Sequence, residues 1–436
     1  MITMTESVTS FLANRTNHRG IPELSESDWI DLNSKYSKNE IRDGLAEYIT
    51  NNKPVFPFRE IKEETVKDKF LALYHERASS FFSYPNKEDV VEKYNDYKYP
   101  FKTYGHFLIE FGHYYNDISN YFQQENRLAC PSYGFSSPIE IWNNKILLQK
   151  MNWIFWRMGT TTINETNIRG SFRLGAYVAT QFKPHVAKAI YDYCGSQIVL
   201  DFSMGWGDRL AGFYTSNVST KYYGCDPNPN TFNVYKNQCI AYEGYLGCIE
   251  PTIIETPNRV EIKGIKHVVM FNLPAEDIDW KSEVGERGID CIFTSPPYFS
   301  TEIYNKGGVK EENQSWSRYP EYDNWRDKFL FPVLKNTFEC LSPDGIMMIN
   351  IMDPTVNRVR HKTCDEMVEY VVGDLDGVFG GQVGMRIKQR PKTLGKAELK
   401  KHLSSDFIEN IWCFSKKGKF AFKFKDNDNS LESILI

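Results

Sequence analysis

Thr294-Ser295-Pro296-Pro297-Tyr298 combines residue types that could handle an amine, and it follows an apolar run, Gly288-Ile289-Asp290-Cys291-Ile292-Phe293, that reads as a buried strand. Proline fixes φ and has no backbone N–H, so Pro296 and Pro297 offer no donor to whatever sits beside them. The carbonyls before them stay free as acceptors. Ser295 adds a side-chain oxygen and Tyr298 a flat face. Acceptors beside a stacking face suit a planar group bearing NH2, such as the exocyclic amine of a nucleobase. Pro-Pro also ends strands for steric reasons alone, so the weight of the reading falls on what surrounds it.

A second constellation lies upstream. In Val199-Leu200-Asp201-Phe202-Ser203-Met204-Gly205-Trp206-Gly207-Asp208-Arg209-Leu210 an apolar strand ends at an acid, two glycines follow, and a helix starts near Asp208. Glycines allow a sharp turn and close backbone approach to a ligand. The first βα turn of a doubly wound sheet is where nucleotide-like cofactors sit. The next strand, in Lys221-Tyr222-Tyr223-Gly224-Cys225-Asp226, also ends at an acid, placed to take both hydroxyls of a ribose. The plainer role for Asp226 is a helix N-cap. There is no Walker A loop and no G-x-G-x-x-G, so the turn is not built to cradle phosphates. An adenosine-type cofactor without phosphate is expected.

The elements that must hold these residues follow from periodicity. Strands are expected at residues 197–202, 222–226, 267–271, 290–294, 346–352, 383–388 and 410–415, most separated by room for a crossover helix. Such alternation predicts an α/β fold, a seven-stranded, mostly parallel sheet with helices on both faces, ending in an antiparallel pair. Residues 389–409 read as a loop with a short helix. Upstream, Lys67–His75 and Tyr104–Phe111 have spacing that suits amphipathic helices. Residues 1–160 are therefore expected to form a mainly helical accessory or target-recognition domain, and 161–436 the cofactor-binding domain.

Bulk properties exclude several classes. The 436 residues carry a net charge of −4, which leaves no global nucleic-acid footprint, so contact with nucleic acid must be local. The nine cysteines form no C-x-x-C pair, so neither a metal site nor a disulfide framework is indicated. Met1 to Gly20 is polar, without a signal-peptide core, and no run reaches membrane-spanning length. A cytoplasmic protein is expected.

The order Gln181-Phe182-Lys183-Pro184, Asp201-x-x-x-Gly205-x-Gly207, Asp226 and Ser295-Pro296-Pro297-Tyr298 resembles the S-adenosylmethionine-dependent amino-methyltransferases of DNA. The resemblance covers roughly residues 165–420. It implies a class I, Rossmann-like methyltransferase fold and S-adenosyl-L-methionine as cofactor. Phe182, Lys183 and Pro184 correspond to the segment at the methionine end. Asp201, Ser203, Gly205 and Gly207 correspond to the cofactor loop, and Asp226 to the ribose acid. Glu276 or Asp277 takes the place near the adenine ring. Ser295, Pro296, Pro297 and Tyr298 correspond to the catalytic motif. The family often has an aromatic at the Ser203 place; here Phe202 comes one step earlier. In that family a serine at the first motif position is typical of cytosine N4 methylation, so the resemblance favours cytosine N4 in DNA, with adenine N6 as the alternative, and it implies a restriction–modification setting.

Three features stand beside this core. Phe299 to Trp325 is rich in aromatics (Tyr304, Trp316, Tyr319, Tyr322, Trp325), which could close over a base or begin a helix packed on the sheet. Met385 to Lys392, with Lys396, Lys400 and Lys401, is the densest basic stretch, suited to phosphate contact or to a solvated hairpin. His75, His106 and His113 read as ordinary surface or core residues. Two rival functions remain: methylation of RNA or protein glutamine, and a non-catalytic nucleic-acid-binding module.

Overall fold

The structure, a computed structural model, describes residues 7–110, 112–387 and 405–416. The chain divides into two compact units. One comprises Met1–Glu60, Gln124–Thr180 and Glu302–Lys306; the other Ile61–Gln123, Gln181–Thr301 and Gly307–Ile436. The sequence reading draws one boundary at 160/161, whereas the chain passes between the units several times.

The first unit is built from short helices. Ser25, Ser37 and Ser137 start three of them with capping boxes, each closed by an acid three residues on (Asp28, Glu40, Glu140). Each box satisfies backbone donors that the first helical turn leaves unpaired. Trp29, Leu32, Phe56, Trp142, Phe155 and Phe172 fill the core between them.

The second unit is a twisted sheet. In chain order its strands are β1 (Phe82–Ser83), β2 (Val90–Val91), β3 (Gly105–Ile109), β4 (Ile198–Asp201), β5 (Lys221–Cys225), β6 (Thr252–Thr256), β7 (Arg259–Lys263), β8 (His267–Phe271), β9 (Ile289–Thr294) and β10 (Leu341–Asn350). A two-stranded ribbon, β11 (Thr355–Val356) and β12 (Val359–Arg360), precedes β13 (Val378–Arg386) and β14 (Asp406–Ser415). The order across the sheet is β1-β3-β13-β14-β10-β9-β4-β5-β8-β7-β6, with β2 paired to one end of β14. The seven expected strands occupy its centre. From β8 to β10 all pairs are parallel. β14 runs antiparallel to both β10 and β13, so one reversed strand is inserted between them.

The sheet extends beyond the expected seven strands at both edges. The hairpin β6–β7 adds to β8, and β3 adds to β13 in parallel register. Residues 105–109, expected to be helical, therefore form a strand. Residues 406–409, expected in a loop, are the first part of β14.

Alternation places Val199, Cys291, Phe293 and Met348 on one face and Leu200, Ile292, Met347 and Ile349 on the other; both sets are buried. Helices cover each face, including Pro184–Tyr193 and Asp208–Thr215 on the first and Phe331–Glu339 and Thr363–Gly373 on the second. Burial on both faces is why the central strands read as nearly continuous apolar runs. At about 1.5–3 kcal/mol per buried large apolar side chain, these layers dominate the favourable side of folding.

Candidate active site

β4 is flanked on one side by β5, which follows it in the chain, and on the other by β9, which the chain reaches by crossing back from β8, so the strand order reverses at β4. The crevice at the carboxyl ends of such strands is where ligands bind in open α/β sheets. Asp201 ends β4, Asp226 follows β5, and Ser295 follows β9. The three motifs therefore converge on one rim of the sheet.

Asp201 is fully buried and saturated with donors. Arg209 Nε donates to its Oδ2 at 2.9 Å and the Tyr222 hydroxyl to the same oxygen at 2.8 Å. The Thr294 hydroxyl donates to Oδ1 at 2.8 Å and the Ser203 N–H at 3.2 Å. Arg209, 4 % exposed, lies over the Phe182 ring and also donates to the Ser203 carbonyl. Burial would lower its pKa, but the charge of Asp201 outweighs that and holds it above the ordinary arginine value. Asp201 thus clamps the loop Phe202–Gly207 to the strand carrying the Ser-Pro-Pro-Tyr turn, because Thr294 immediately precedes Ser295.

The loop itself turns at two left-handed glycines, Gly205 (φ +57°) and Gly207 (φ +72°). They differ in surroundings. A Cβ on Gly207 would lie 2.6 Å from the Gln238 side chain, whereas one on Gly205 would meet only the Ser203 carbonyl at 3.9 Å. Gly207 serves packing; Gly205 leaves open space.

Asp226 is 9 % exposed and takes softer donors. Its Oδ2 accepts the Gly205 N–H at 3.0 Å and its Oδ1 the Asn228 N–H at 2.9 Å, with the Tyr235 hydroxyl at 3.3 Å. Among the described residues no cation pairs with it, and burial pushes it up to about 6 against these hydrogen bonds. The helix cap foreseen as its plainer role falls to Asn228, whose side chain accepts the Asn230 N–H.

Glu276 and Asp277, which were alternatives, differ sharply. Asp277 is 44 % exposed and paired to Arg318. Glu276 is 7 % exposed; its Oε1 accepts from Arg318 at 2.8 Å and from Tyr319 at 3.1 Å. Its Oε2 is buried with no hydrogen bond among the described residues, and burial raises its pKa. A buried acceptor with no partner costs free energy unless a ligand donates to it.

The segment before Pro184 meets residues from earlier in the chain. Phe182 packs edge-on against Phe293, with centroids 5.6 Å apart. Pro184 sits in the first turn of its helix, and buried Lys183 places Nζ 3.2 Å from His113 Nδ1. Gln181 Nε2 donates to the Asn116 carbonyl, to Ser119 and to Asp208 Oδ1. Asp208 is 2 % exposed, its Oδ2 has no hydrogen bond among the described residues, and burial pushes it up to about 6. His113, Asn116 and Ser119 come from the stretch expected to be accessory.

At the third corner Ser295 is half-buried and Pro296 buried. The Tyr298 hydroxyl donates to Glu409 on β14, with the Asn350 carbonyl at 3.3 Å and Asn350 Oδ1 at 3.5 Å. Phe299 follows in a left-handed conformation (φ +53°). Its ring packs on Tyr322, Trp325 and His361. Trp325 is fully buried, so the end of the aromatic stretch belongs to the core. Of the basic stretch, residues 388–404 lie outside the described residues; Arg386 is engaged by Glu110 and Asp406.

Sequence reasoning missed Arg209, Thr294, Tyr235 and Glu409. Arg209 left one signal. A cation in the first turn of a helix opposes the helix dipole, which calls for a specific anionic partner.

A family model described as DNA methylase matches residues 289–433, a third of the chain. No curated protein matches the chain in sequence. Among similar solved structures is an rRNA methylase from Streptococcus thermophilus, 15% identical over 55% of this chain and 100% of that one, TM-score 0.29. A methyltransferase homolog protein from Pyrococcus horikoshii is 14% identical over 55% of this chain and 68% of that one, TM-score 0.31. A precorrin-6y C5,15-methyltransferase from Geobacter metallireducens is 8% identical over 53% and 85%, TM-score 0.29. The fold rests on the strand order above rather than on these likenesses.

Proposed function

We propose that this chain, whose residues 289–433 match the DNA methylase family, is an S-adenosylmethionine-dependent DNA methyltransferase acting on an exocyclic amine, cytosine N4. The observation that carries the reading is the convergence of the Ser295-Pro296-Pro297-Tyr298 turn, whose two prolines offer no backbone donor, with two buried strand-end acids on one rim of the sheet.

The residues present fit the cofactor. Gly205 leaves open space where a side chain would intrude, Asp226 keeps lone pairs for hydroxyl donors, and Glu276 Oε2 is a buried acceptor in want of a donor. In this reading Asp226 takes the ribose, Glu276 rather than Asp277 takes the adenine side, and Phe182 to Pro184 line the methionine end. Asp201 acts through Arg209, Ser203 and Thr294 by fixing the loop.

When bound, S-adenosylmethionine supplies an electrophilic methyl: the amine lone pair forms the N–C bond, the C–S pair stays on sulfur, and the methylated nitrogen gives one proton to solvent. The chain's own contribution is positioning and charge stabilisation. Ser295 Oγ and the carbonyl preceding Pro296 accept the amine hydrogens, which favours a pyramidal nitrogen with its lone pair localised. Tyr298 stacks on a base turned out of the helix.

The test is incubation with methyl-labelled S-adenosylmethionine and DNA, RNA or protein. Label on DNA, recovered as N4-methylcytosine on nucleoside analysis, is expected. N6-methyladenine would reassign the base, and label on protein with none on DNA would overturn the proposal.

A further inference from the structure

The Tyr298 hydroxyl sits between Ser295 Oγ on one side and a group of acceptors on the other. Among the described residues it faces the acceptors Glu409, the Asn350 carbonyl at 3.3 Å and Asn350 Oδ1 at 3.5 Å, Glu409 being the nearest of these. The orientation of the Asn350 amide is fixed independently, because its Nδ2 donates to the Asn410 carbonyl at 3.1 Å. The single hydrogen of Tyr298 is therefore directed at this group, and its lone pairs face Ser295 Oγ, 3.4 Å away. An ionised carboxylate accepts and never donates.

We propose that Glu409 is a positioning residue that, through Tyr298, makes Ser295 Oγ an acceptor. With Tyr298 committed as donor to Glu409, the Ser295 hydroxyl hydrogen points to Tyr298. The outward lone pairs of Ser295 are then presented to the amine. A serine alone is ambivalent, since its hydroxyl rotates and can donate to the lone pair that must attack; that orientation would block transfer. The chain Ser295–Tyr298–Glu409 removes the ambiguity. It also gives Tyr298 a second task beside its ring. Glu409 reaches the site because β14 is reversed: Asn350, the last residue of β10, pairs with Ile411, two residues beyond Glu409. Asn350 and Glu409 are thereby brought to the same rim as Ser295.

The inference rests on the methyl-transfer reading above, and its test separates the two. Tyr298→Phe keeps the ring and removes the hydroxyl; Glu409→Gln keeps the shape and introduces an amide that can donate back to Tyr298. Both are expected to lower kcat about 10- to 100-fold, the range for losing a hydrogen bond to a charged group. Affinities for S-adenosylmethionine and for DNA should stay within twofold of wild type, by calorimetry and fluorescence anisotropy. The double variant should be no slower than the slower single one, because the two residues act in one chain. Should Glu409→Gln fail to fold, as judged by its thermal transition, Tyr298→Phe alone decides by its kcat. A kcat within twofold of wild type in Tyr298→Phe, or losses that multiply in the double variant, overturns the inference while leaving the methyltransferase reading intact. A wild type that transfers no methyl group to DNA overturns both.

Discussion

Asp201 and Asp226 stand at the ends of neighbouring parallel strands, both buried, yet they do opposite things. Asp201 meets a guanidinium, two hydroxyls and a backbone N–H, so its charge is spent within the protein. Among the described residues Asp226 meets backbone N–H groups and neutral hydroxyls with no cation paired to it, and burial pushes it up to about 6. A strand-end acid that is saturated by its own chain fixes geometry; one left under-compensated is available to a ligand. The Ser295–Tyr298 turn extends the contrast, since its prolines withhold donors and leave its acceptors to be filled from outside.

This contrast can be broken at four points, starting from the largest effect. Asp201→Ala leaves Arg209 buried without its carboxylate, and removing one partner of a buried ion pair costs about 3–5 kcal/mol. A large fall in Tm is expected, with cofactor binding lost because the loop is lost; a Tm near wild type would show that Asp201 is not structural. Tyr298→Ala should leave the fold and S-adenosylmethionine affinity near wild type and slow methyl transfer at least about 10- to 100-fold, since base stacking on an aromatic is worth about 1–3 kcal/mol. Equal loss of binding and transfer would count against the stacking role.

Asp226→Asn should keep Tm within a few degrees and weaken S-adenosylmethionine binding about tenfold or more, as measured by calorimetry. Its pH dependence has a definite sign. The ionised form accepts both hydroxyls, and protonation turns one acceptor into a donor. Wild-type affinity should therefore fall as pH drops below about 6, and the asparagine variant should show no such step.

The smallest effect belongs to Asp208, buried with one oxygen unpaired and held up to about 6. A folded-state pKa above the unfolded value means that this group contributes stability at low pH and loses it as pH rises from about 4 through about 6. Asp208→Asn removes that loss. Its Tm should exceed that of wild type at pH 8, by up to roughly 1–3 kcal/mol of stability, and the gain should vanish near pH 4. A variant less stable at pH 8 would mean that the charge is needed, for instance opposite Lys183.

Much of this was legible because the central strands are buried on both faces. The expected central strands are short, mostly apolar runs, and no tertiary detail is needed to see them. The edges were less legible. Gly105–Ile109 is a five-residue stretch with three consecutive large apolar residues, too short for periodicity to separate helix from strand, and it became a strand because the edge of β13 was there to pair with it. Thr252–Thr256 and Arg259–Lys263 pair across a two-residue turn, Pro257-Asn258, whose residues are turn formers, and their alternation was a signal available but unread. Glu276 and Asp277 differ in burial and not in chemistry, and adjacent residues of like chemistry cannot be told apart in one dimension.

By itself the sequence determined the residue types that chemistry needs and the strand ends that carry them: Asp201 and Asp226, the two glycines, and Ser295 to Tyr298. Local rules suffice there, because a strand end, a left-handed turn and a proline pair are properties of a few consecutive residues. Only the tertiary structure decided which partners each would have. Arg209 and Thr294 saturate Asp201, His113 and Ser119 arrive from a stretch read as a separate domain, and Glu409 reaches Tyr298 across 111 positions of chain. A reversed strand inserted into a parallel sheet brings its beginning to the rim where its neighbours end, and strand order of that kind is set by pairing across the whole unit rather than by any segment of it.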